Sequence, residues 1–346
     1  MDRSEPQGCR VIVRRGFLLG KFMPPHAGHI SLIDAARRLV DELTILVCWL
    51  PDDPIPGESR LGWVRELFPD CRVLGHGEAA PQQPGDSADF WPVWRGIVRS
   101  VHPEPIDYVF AGEAYGAELA YEVGGLFVPL GGRILGAASD PIGGLTASAV
   151  RQDPAGHWPL LPLPVRRHYQ QRVCLHGGES TGKSTLAAML ADHFQTVTVG
   201  EYGRSHCEIY KDELSANDLQ LIADAQQAMI EAAAPWAGPL LLIDTDALMT
   251  AAWCEMLLGN RPEAMMRCAR ADLYLLLEPD VPWVDDGTRF FADAARRGQF
   301  NSIVEQVLID AKVRFARISG RFDQRETAAM AAIDALLAGT VRSNCV

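Results

Sequence analysis

The residues from Gly177 to Thr185 have the types and spacing of a phosphate-binding loop, G-x-x-x-x-G-K-[ST], between an apolar run and a helix-like run. The glycines let the backbone turn its N–H groups toward a phosphate. Lys183 supplies positive charge to the β- and γ-phosphates, and Ser184 offers a hydroxyl to Mg²⁺. A glycine-rich turn is the alternative, but the chain has only four lysines, so chance placement of one here is improbable. We predict ATP and Mg²⁺ as cofactors. The predicted nucleotide-binding residues are Gly177, Gly178, Glu179, Ser180, Thr181, Gly182, Lys183, Ser184 and Thr185.

Two histidines, His26 and His29, flank Gly28 immediately before a stretch with helical spacing of apolar residues. Beside Lys21, and at the N-terminus of a helix, such a pair suits an anion such as the triphosphate of ATP. A structural histidine pair is an equally good interpretation from spacing alone. A metal pair is weaker, because no third ligand stands nearby.

The elements that must position these residues alternate between strand and helix patterns, which predicts an α/β fold with mainly parallel sheets in both halves. An apolar run that ends at Asp244 has the pattern of a Walker B segment, so Asp244 is predicted to bind Mg²⁺ together with Ser184. At 346 residues the chain is long for one core. Three prolines within Trp158–Val165 mark a boundary, so we predict domains at 1–160 and 161–346.

Composition restricts the class of partner. The net charge is −12 and acidic residues outnumber basic ones in both halves, which argues against nucleic acid as a partner. The eight cysteines show no C-x-x-C pair, as expected of reduced thiols in a cytoplasmic protein. No signal peptide or membrane-spanning run is apparent, so we expect no membrane partner. The sequence does not determine the oligomeric state and leaves a homo-oligomer open.

Two further segments carry a resemblance to known families. Gly20-Lys-Phe-Met-Pro-Pro-His-Ala-Gly-His29 is similar to the first signature of the nucleotidyltransferase superfamily, and Leu145-Thr-Ala-Ser-Ala-Val-Arg151 is similar to a degenerate form of its second signature. With the phosphate-binding loop about thirty residues later, the order resembles the bifunctional nicotinamide mononucleotide adenylyltransferase / ribosylnicotinamide kinase family. The resemblance implies a Rossmann-like nucleotidyltransferase domain followed by a P-loop kinase domain.

For the first half, the resemblance implies that the 5′-phosphate of nicotinamide mononucleotide attacks the α-phosphorus of ATP, giving NAD and pyrophosphate. The implied catalytic residues are Lys21, His26, His29 and Arg151. They would position the reactants and stabilise charge without a protein nucleophile. Trp94, with Trp91 as alternate, matches a family W-x-x-W that stacks on nicotinamide, although core packing explains the pair equally well. The other implied binding residues are Gly20, Gly28, Ser148, Gly112 and Glu113; a helix cap would explain Glu113 nearly as well.

For the second half, the resemblance implies phosphorylation of the 5′-hydroxyl of nicotinamide riboside. Glu201 would accept the hydroxyl proton, whereas an ion pair with Arg204 is its structural interpretation. Asp246 would bind the ribose hydroxyls or replace Glu201 as the base. The implied substrate-binding residues are Tyr202, Arg204, Asp244, Asp246 and Trp253.

This half departs from the family at one position and offers one further segment. Gly200 stands where the family has a tryptophan, so Tyr202 or Trp253 is expected to hold the nicotinamide ring. Trp283-Val-Asp-Asp-Gly-Thr-Arg289 resembles the start of a lid, in which Arg289 would meet the transferring phosphoryl group.

Two alternatives accompany this interpretation. The degenerate second signature leaves room for a kinase whose first domain binds nucleotide without catalysis. Some members of the family are pyridine-nucleotide-sensing repressors with an N-terminal helix-turn-helix domain. About sixteen residues precede the first predicted strand, so we expect that domain to be lacking.

Overall fold

The structure is a computed structural model, and it describes residues 13–131, 144–210, 214–268, 270–282, 291 and 293–343. The chain divides into two compact units between Val165 and Arg166. No helix within the described ranges is long and apolar enough to cross a membrane. The six cysteines in these ranges are free thiols.

The first unit is built on a five-stranded parallel sheet with strand order β3-β2-β1-β4-β5. Its elements are β1 (Arg15–Gly20), α1 (Ala27–Arg37), β2 (Glu42–Cys48), α2 (Gly57–Leu67), β3 (Arg72–His76), α3 (Phe90–Val101), β4 (Tyr108–Ala111), α4 (Tyr115–Val123), β5 (Leu126–Pro129) and α5 (Ala147–Gln152). A 3-10 turn (Trp158–Leu160) follows, and α6 (Leu163–Tyr169) spans the point where the units divide.

Helices cover both faces of this sheet. One apolar cluster joins the strands to α1 and α2, and a second joins their other face to α3 and α4. Six of the seven residues of β2 are buried, which is the continuous apolar pattern of a parallel strand covered on both faces. The β1–α1 connection therefore opens at the carboxyl edge of the central strand, where ligands bind in doubly wound folds.

The second unit repeats this plan with strand order β10-β9-β6-β8-β7, also parallel. Its elements are β6 (Gln171–His176), α7 (Lys183–His193), β7 (Thr198–Val199), α8 (Tyr202–Tyr210), α9 (Ala216–Ala233), a 3-10 turn (Ala234–Trp236), β8 (Leu240–Asp244), α10 (Ala247–Leu258), α11 (Glu263–Met266), β9 (Leu273–Leu277), α12 (Ala294–Asp310), β10 (Phe315–Ile318) and α13 (Phe322–Ser343).

Here α9, α10 and α12 cover one face of the sheet, and α7 and α13 cover the other. The predicted fold class, α/β with mainly parallel sheets in both halves, is confirmed. The β6–α7 connection is the phosphate-binding loop, and it leaves the central strand of its sheet at the carboxyl edge.

Candidate active sites

The phosphate-binding loop has a backbone that two glycines make possible. Gly177 has φ +148° and Gly182 has φ +85°, in the region that L side chains rarely adopt. A Cβ on Gly177 would lie 2.8 Å from the carbonyl oxygen of Leu277. Ser180, with φ +61°, holds a left-handed conformation without being glycine. The loop is thus held open as a concave turn at the N-terminus of α7.

Lys183 and Ser184 begin α7 and point to the loop and to β8 respectively. Lys183 Nζ donates to the carbonyl oxygens of Gly177 and Gly178, each at 3.0 Å. Ser184 Oγ donates to Asp244 Oδ2 at 2.5 Å. Asp244 is 3% exposed, and within the described part of the chain its Oδ1 has no hydrogen-bond partner. A buried carboxylate oxygen without a donor, beside a hydroxyl, fits the oxygen ligands that Mg²⁺ takes.

A cavity of about 770 Å³, including the part open to solvent, adjoins this loop. Its wall is formed by the loop, the segment after β7, and α9 and α10. Three of the predicted substrate-site residues line it, Glu201, Arg204 and Trp253. Glu201 and Arg204 form an ion pair at 3.9 Å, so the structural interpretation of Glu201 and its place in the cavity coexist. The other polar side chains of the wall are Glu179, Lys183, Cys207, Gln226, Thr245 and Thr250.

The aromatic residues of the cavity wall are Trp253 and Phe300. Trp253 packs against two phenylalanines. Its ring centroid lies 4.2 Å from that of Phe300 and 5.6 Å from that of Phe291, the latter nearly parallel. Tyr202 begins α8 and is not among the lining residues. A Cβ on Gly200 would meet nothing within 4 Å, so open space lies where a larger side chain would stand. Of the two rings predicted to hold nicotinamide, Trp253 is the one in the cavity wall.

Both carboxylate oxygens of Asp246 accept hydrogen bonds within the second unit. It is the N-cap of α10, where Oδ1 accepts from Leu248 N at 2.9 Å, and Tyr274 Oη donates to Oδ2 at 2.5 Å. Burial raises its pKa to about 6, although the bonds from Tyr274, Leu248 and Met249 each lower it. Asp246 does not line the cavity. Its contacts are those of a helix cap, and its predicted roles as ribose ligand or base stay predictions.

Gln226 is a residue that the sequence did not single out. It is 2% exposed and ties three segments together: its Nε2 donates to the carbonyl oxygens of Gly200 and Thr245, each at 3.1 Å, and its Oε1 accepts from Tyr202 N at 2.8 Å. Thr245, with φ +71°, lines the cavity. In the sequence, Gln226 is one residue of the helical pattern of α9. That pattern does not predict that its hydrogen-bond partners lie after the ends of β7 and β8.

In the first unit, His26 is the N-cap of α1, and its Nδ1 accepts from Gly28 N at 3.1 Å. A neutral ring in this arrangement carries its proton on Nε2, which leaves that atom as a donor. The ring centroids of His26 and His29 lie 4.0 Å apart. Both predicted histidines therefore stand together at the N-terminus of a helix, beside the central strand of the sheet.

The second signature meets the first. Thr146 caps α5, with Oγ1 accepting from Ala149 N at 3.1 Å. Arg151, on α5, donates to the carbonyl oxygen of Met23, in the loop that leads to His26. Arg151 also donates to Ser148 Oγ at 3.1 Å. The two signatures are thus in direct contact through residues that are 128 positions apart in the chain.

Lys21 belongs to a second polar group of this unit. Its Nζ lies 3.5 Å from Asp53 Oδ1, and Asp53 Oδ2 accepts from Arg60 at 2.6 Å and from Leu50 N at 3.1 Å. Burial alone would raise the pKa of Asp53, but the bonds from Leu50 and Arg60 and the charges of Lys21 and Arg60 lower it overall. Arg60 is fully buried and also donates to the Lys21 carbonyl at 2.7 Å. The sequence did not single out Asp53.

The remaining predicted site residues of this unit differ in how far they are exposed. Trp94 is 9% exposed and its Nε1 donates to the Pro81 carbonyl at 3.0 Å, so most of its ring is covered by protein. Trp91 is the more accessible of the two indoles. Gly112 and Glu113 follow β4 at the carboxyl edge of the sheet, as predicted ligand-lining residues should. Gly20 ends β1. Ala114, not Glu113, is the N-cap of α4.

One prediction for the second unit has no structural outcome. Arg289 and its predicted lid segment lie outside the described residues.

Comparison with known proteins adds the following similarities. Residues 172–325 match the family model described as AAA domain. The chain is 30% identical over 333 residues to the trifunctional NAD biosynthesis/regulator protein NadR of Escherichia coli strain K12, covering 88% of this chain and 78% of that protein. It is 29% identical over 117 residues to the nicotinamide-nucleotide adenylyltransferase of Pyrobaculum neutrophilum, covering 32% of this chain and 64% of that protein.

Two solved structures share the fold. One is a crystal structure of NadR protein in complex with NR, with a TM-score of 0.71, 21% identity, and coverage of 93% of this chain and 95% of that chain. The other is NadR protein in complex with NAD and AMP-PNP, with a TM-score of 0.70, 21% identity, and coverage of 94% and 96%. At this identity the similarity establishes the fold, with both units in the same order along the chain.

Proposed function

The chain belongs to the NadR family of NAD biosynthesis proteins, and on that premise we propose that it makes NAD from nicotinamide riboside in two steps. The second unit phosphorylates the riboside with ATP to nicotinamide mononucleotide. The first unit transfers an adenylyl group from a second ATP to the mononucleotide and releases pyrophosphate. The observation that carries the proposal is the contact of Arg151 with the Met23 carbonyl, which joins both nucleotidyltransferase signatures in a chain that also has an intact phosphate-binding loop.

For the kinase step, the cavity beside the phosphate-binding loop is the proposed riboside site. Glu201 accepts the proton of the 5′-hydroxyl as that oxygen attacks the γ-phosphorus. We prefer Glu201 to Asp246 as the base because Glu201 lines the cavity, whereas both carboxylate oxygens of Asp246 already accept hydrogen bonds. Trp253 supplies the flat face for the charged pyridinium ring. Arg204 lines the same cavity and would bind the riboside hydroxyls once its ion pair with Glu201 opens.

Lys183, Ser184 and Asp244 serve the phosphates of the donor. Lys183 exchanges its two backbone acceptors for phosphate oxygens, which are stronger partners for an ammonium group. Ser184 and Asp244 would hold Mg²⁺, which supplies positive charge against the phosphates when bound. The unsatisfied Oδ1 of Asp244 supports this assignment. The backbone N–H groups between Gly177 and Thr185 complete the phosphate cradle.

For the adenylyl step, the nucleophile is a phosphate that is already ionised, so it needs no general base. The protein contributes by positioning the reactants and stabilising charge. His26 donates from Nε2, because its Nδ1 is occupied by Gly28 N. Arg151 and Lys21 add positive charge, and His29 lies against the His26 ring. Trp91, the more accessible indole, is the proposed platform for the nicotinamide of the mononucleotide, and both indoles pack against Phe90.

The test is an incubation of the purified chain with MgATP and nicotinamide riboside, followed by chromatography of riboside, mononucleotide and NAD over time. We expect mononucleotide to rise first and NAD to follow. Mononucleotide that accumulates without NAD would contradict the adenylyl step and leave a kinase beside a first unit that only binds nucleotide. Riboside that is not consumed would contradict the kinase step.

A further inference from the structure

The position of the riboside cavity fixes the direction in which the phosphoryl donor must leave the loop. The central strand β6 lies between β8 and β9. Glu201 follows β7 and Thr245 follows β8, and most of the cavity wall lies on the β8 and β7 side of the loop, with Phe300 of α12 as the exception. In phosphoryl transfer the attacking and leaving oxygens are roughly in line on opposite sides of the phosphorus. The leaving nucleoside diphosphate therefore extends toward β9 and β10.

An exposed aromatic ring lies on that side. Phe322 begins α13 directly after β10, and it is 37% exposed, although a phenyl ring is normally buried. Its Cε2 lies 3.6 Å from the position that a Cβ on Gly182 would occupy. Gly182 belongs to the phosphate-binding loop. The ring therefore lies beside Gly182, close enough to contact a side chain there if that residue had one, and it keeps an accessible face.

The segment that carries this ring is held rigidly by a buried arginine. Arg325 is 1% exposed and donates to the carbonyl oxygens of Gly320, Thr181 and Glu278 at 2.7 to 2.8 Å. It also pairs with Asp280, whose Oδ2 accepts from Gly320 N at 2.6 Å. These bonds join the phosphate-binding loop, the end of β9 and the β10–α13 turn. The distance between the ring and the bound phosphates is set by the fold.

We propose that Phe322 is the stacking platform for the purine base of the phosphoryl donor at the kinase site. A base linked through its sugar to phosphates in the loop has to lie on the β9 and β10 side, and a planar aromatic base recognises a planar aromatic ring. This inference rests on the proposed kinase function for its reaction, and on the phosphate-binding loop for its ligand. It assigns the donor site to different elements from those that bind the riboside.

The test compares Phe322→Ala with the unchanged chain in riboside phosphorylation at varied ATP. We expect KM for ATP to rise about tenfold while kcat and KM for the riboside stay within about twofold, because stacking on one base contributes on that order. Phe322→Tyr, which keeps the ring, restores KM for ATP. Trp236→Ala is the matched control, since it removes an aromatic ring of the same unit that is 81% exposed.

Calorimetry separates failure of this inference from failure of the kinase function. Binding of a non-hydrolysable ATP analogue is measured for the unchanged chain and for Lys183→Ala. The binding heat that is lost in Lys183→Ala is assigned to the phosphate-binding loop. Phe322→Ala should weaken this binding about tenfold and leave the affinity for inorganic tripolyphosphate unchanged. Unchanged affinity for the analogue, no heat that depends on Lys183, or an equal loss for tripolyphosphate overturns the platform. Weakened analogue binding in a chain that does not phosphorylate the riboside supports the platform and contradicts the kinase function.

Discussion

Asp244 and Asp246 are separated by one residue and have opposite surroundings. Asp244 accepts from Ser184 with one oxygen, and its other oxygen has no partner in the described part of the chain. Asp246 accepts from Leu248 N and from Tyr274. The strand β8 ends at Asp244 and Thr245 has φ +71°, so the backbone leaves strand geometry between the two residues. One side chain contacts Ser184 of the phosphate-binding loop and the other caps α10. Asp244 is therefore suited to binding a cation, and Asp246 to capping α10.

Asp244→Asn is expected to impair the kinase alone. Loss of the carboxylate charge removes the proposed Mg²⁺ ligand, so we expect kcat to fall about a hundredfold and the half-saturating Mg²⁺ concentration to rise about tenfold. Riboside phosphorylation is measured from low to high Mg²⁺, with adenylyl transfer from mononucleotide as the internal reference. Asp192→Asn, on the exposed side of α7, is the matched control. An unchanged Mg²⁺ dependence would contradict the assignment.

Asp246 predicts a specific pH dependence of stability. Its folded pKa of about 6 lies above the ordinary 3.8 because burial disfavours the charged form. Its stabilising contribution is therefore complete below about pH 4 and is lost as pH rises through 6, by about 3 kcal/mol. Asp246→Asn cannot ionise, so the difference in unfolding free energy between the two proteins should change by about 2 kcal/mol between pH 4.5 and 7.5, because the first third of the loss occurs below pH 4.5.

Urea denaturation of the second unit at several pH values measures this difference. Tyr274→Phe sharpens the test, because the tyrosine hydroxyl is one of the groups that lower the pKa of Asp246. Without that hydroxyl the loss of stability should move to higher pH. Parallel pH profiles for the unchanged chain and Asp246→Asn would show that Asp246 does not titrate in this range.

At the scale of elements, sequence patterns locate strands and phosphate loops but not what lies between them. The apolar run predicted to end at Asp244 is strand β8 (Leu240–Asp244), because a continuous apolar run between polar segments permits little else. The bonds of Gln226 and of Asp53 could not be predicted in this way. The bonds of Gln226 and the Lys21–Asp53 ion pair join residues 19 to 32 positions apart, and those partners meet only through the strand order. The strand order itself leaves no periodic trace in the sequence.

Gln226→Ala is expected to loosen the cavity. The substitution leaves the carbonyls of Gly200 and Thr245 without their buried donor and Tyr202 N without its acceptor, at a cost of about 2–3 kcal/mol. Because Thr245 lines the cavity at φ +71°, we expect KM for the riboside to rise about tenfold and the melting temperature to fall.

The structural and functional parts of this effect are separable. Gln227→Ala is the control, since the neighbouring side chain bonds only to Glu231 on the surface among the bonds recorded for it. KM for ATP should be nearly unchanged, because the hydrogen bonds recorded for Gln226 go to Gly200, Tyr202 and Thr245 and not to the phosphate-binding loop. A proportional change in KM for both substrates would show a general loss of folding instead of a displaced cavity wall.

At the scale of the whole molecule, each unit has its own parallel sheet and its own apolar clusters, and we propose a separate phosphate-binding segment in each. Neither site needs a residue of the other unit for the chemistry proposed. Lys183→Ala should therefore abolish riboside phosphorylation and spare adenylyl transfer, and His29→Ala should do the reverse. Loss of both activities from either folded variant would contradict two independent sites.

A mixture of these two variants tests that independence as a whole. Neither alone should convert riboside to NAD, because each lacks one step. Together they should restore NAD formation, with a lag while mononucleotide made by His29→Ala accumulates in solution and reaches the first unit of Lys183→Ala. The lag should shorten as the share of His29→Ala is increased, since mononucleotide supply then rises. If the mixture makes no NAD although mononucleotide from His29→Ala accumulates in solution, Lys183→Ala has lost adenylyl transfer, which would contradict two independent sites.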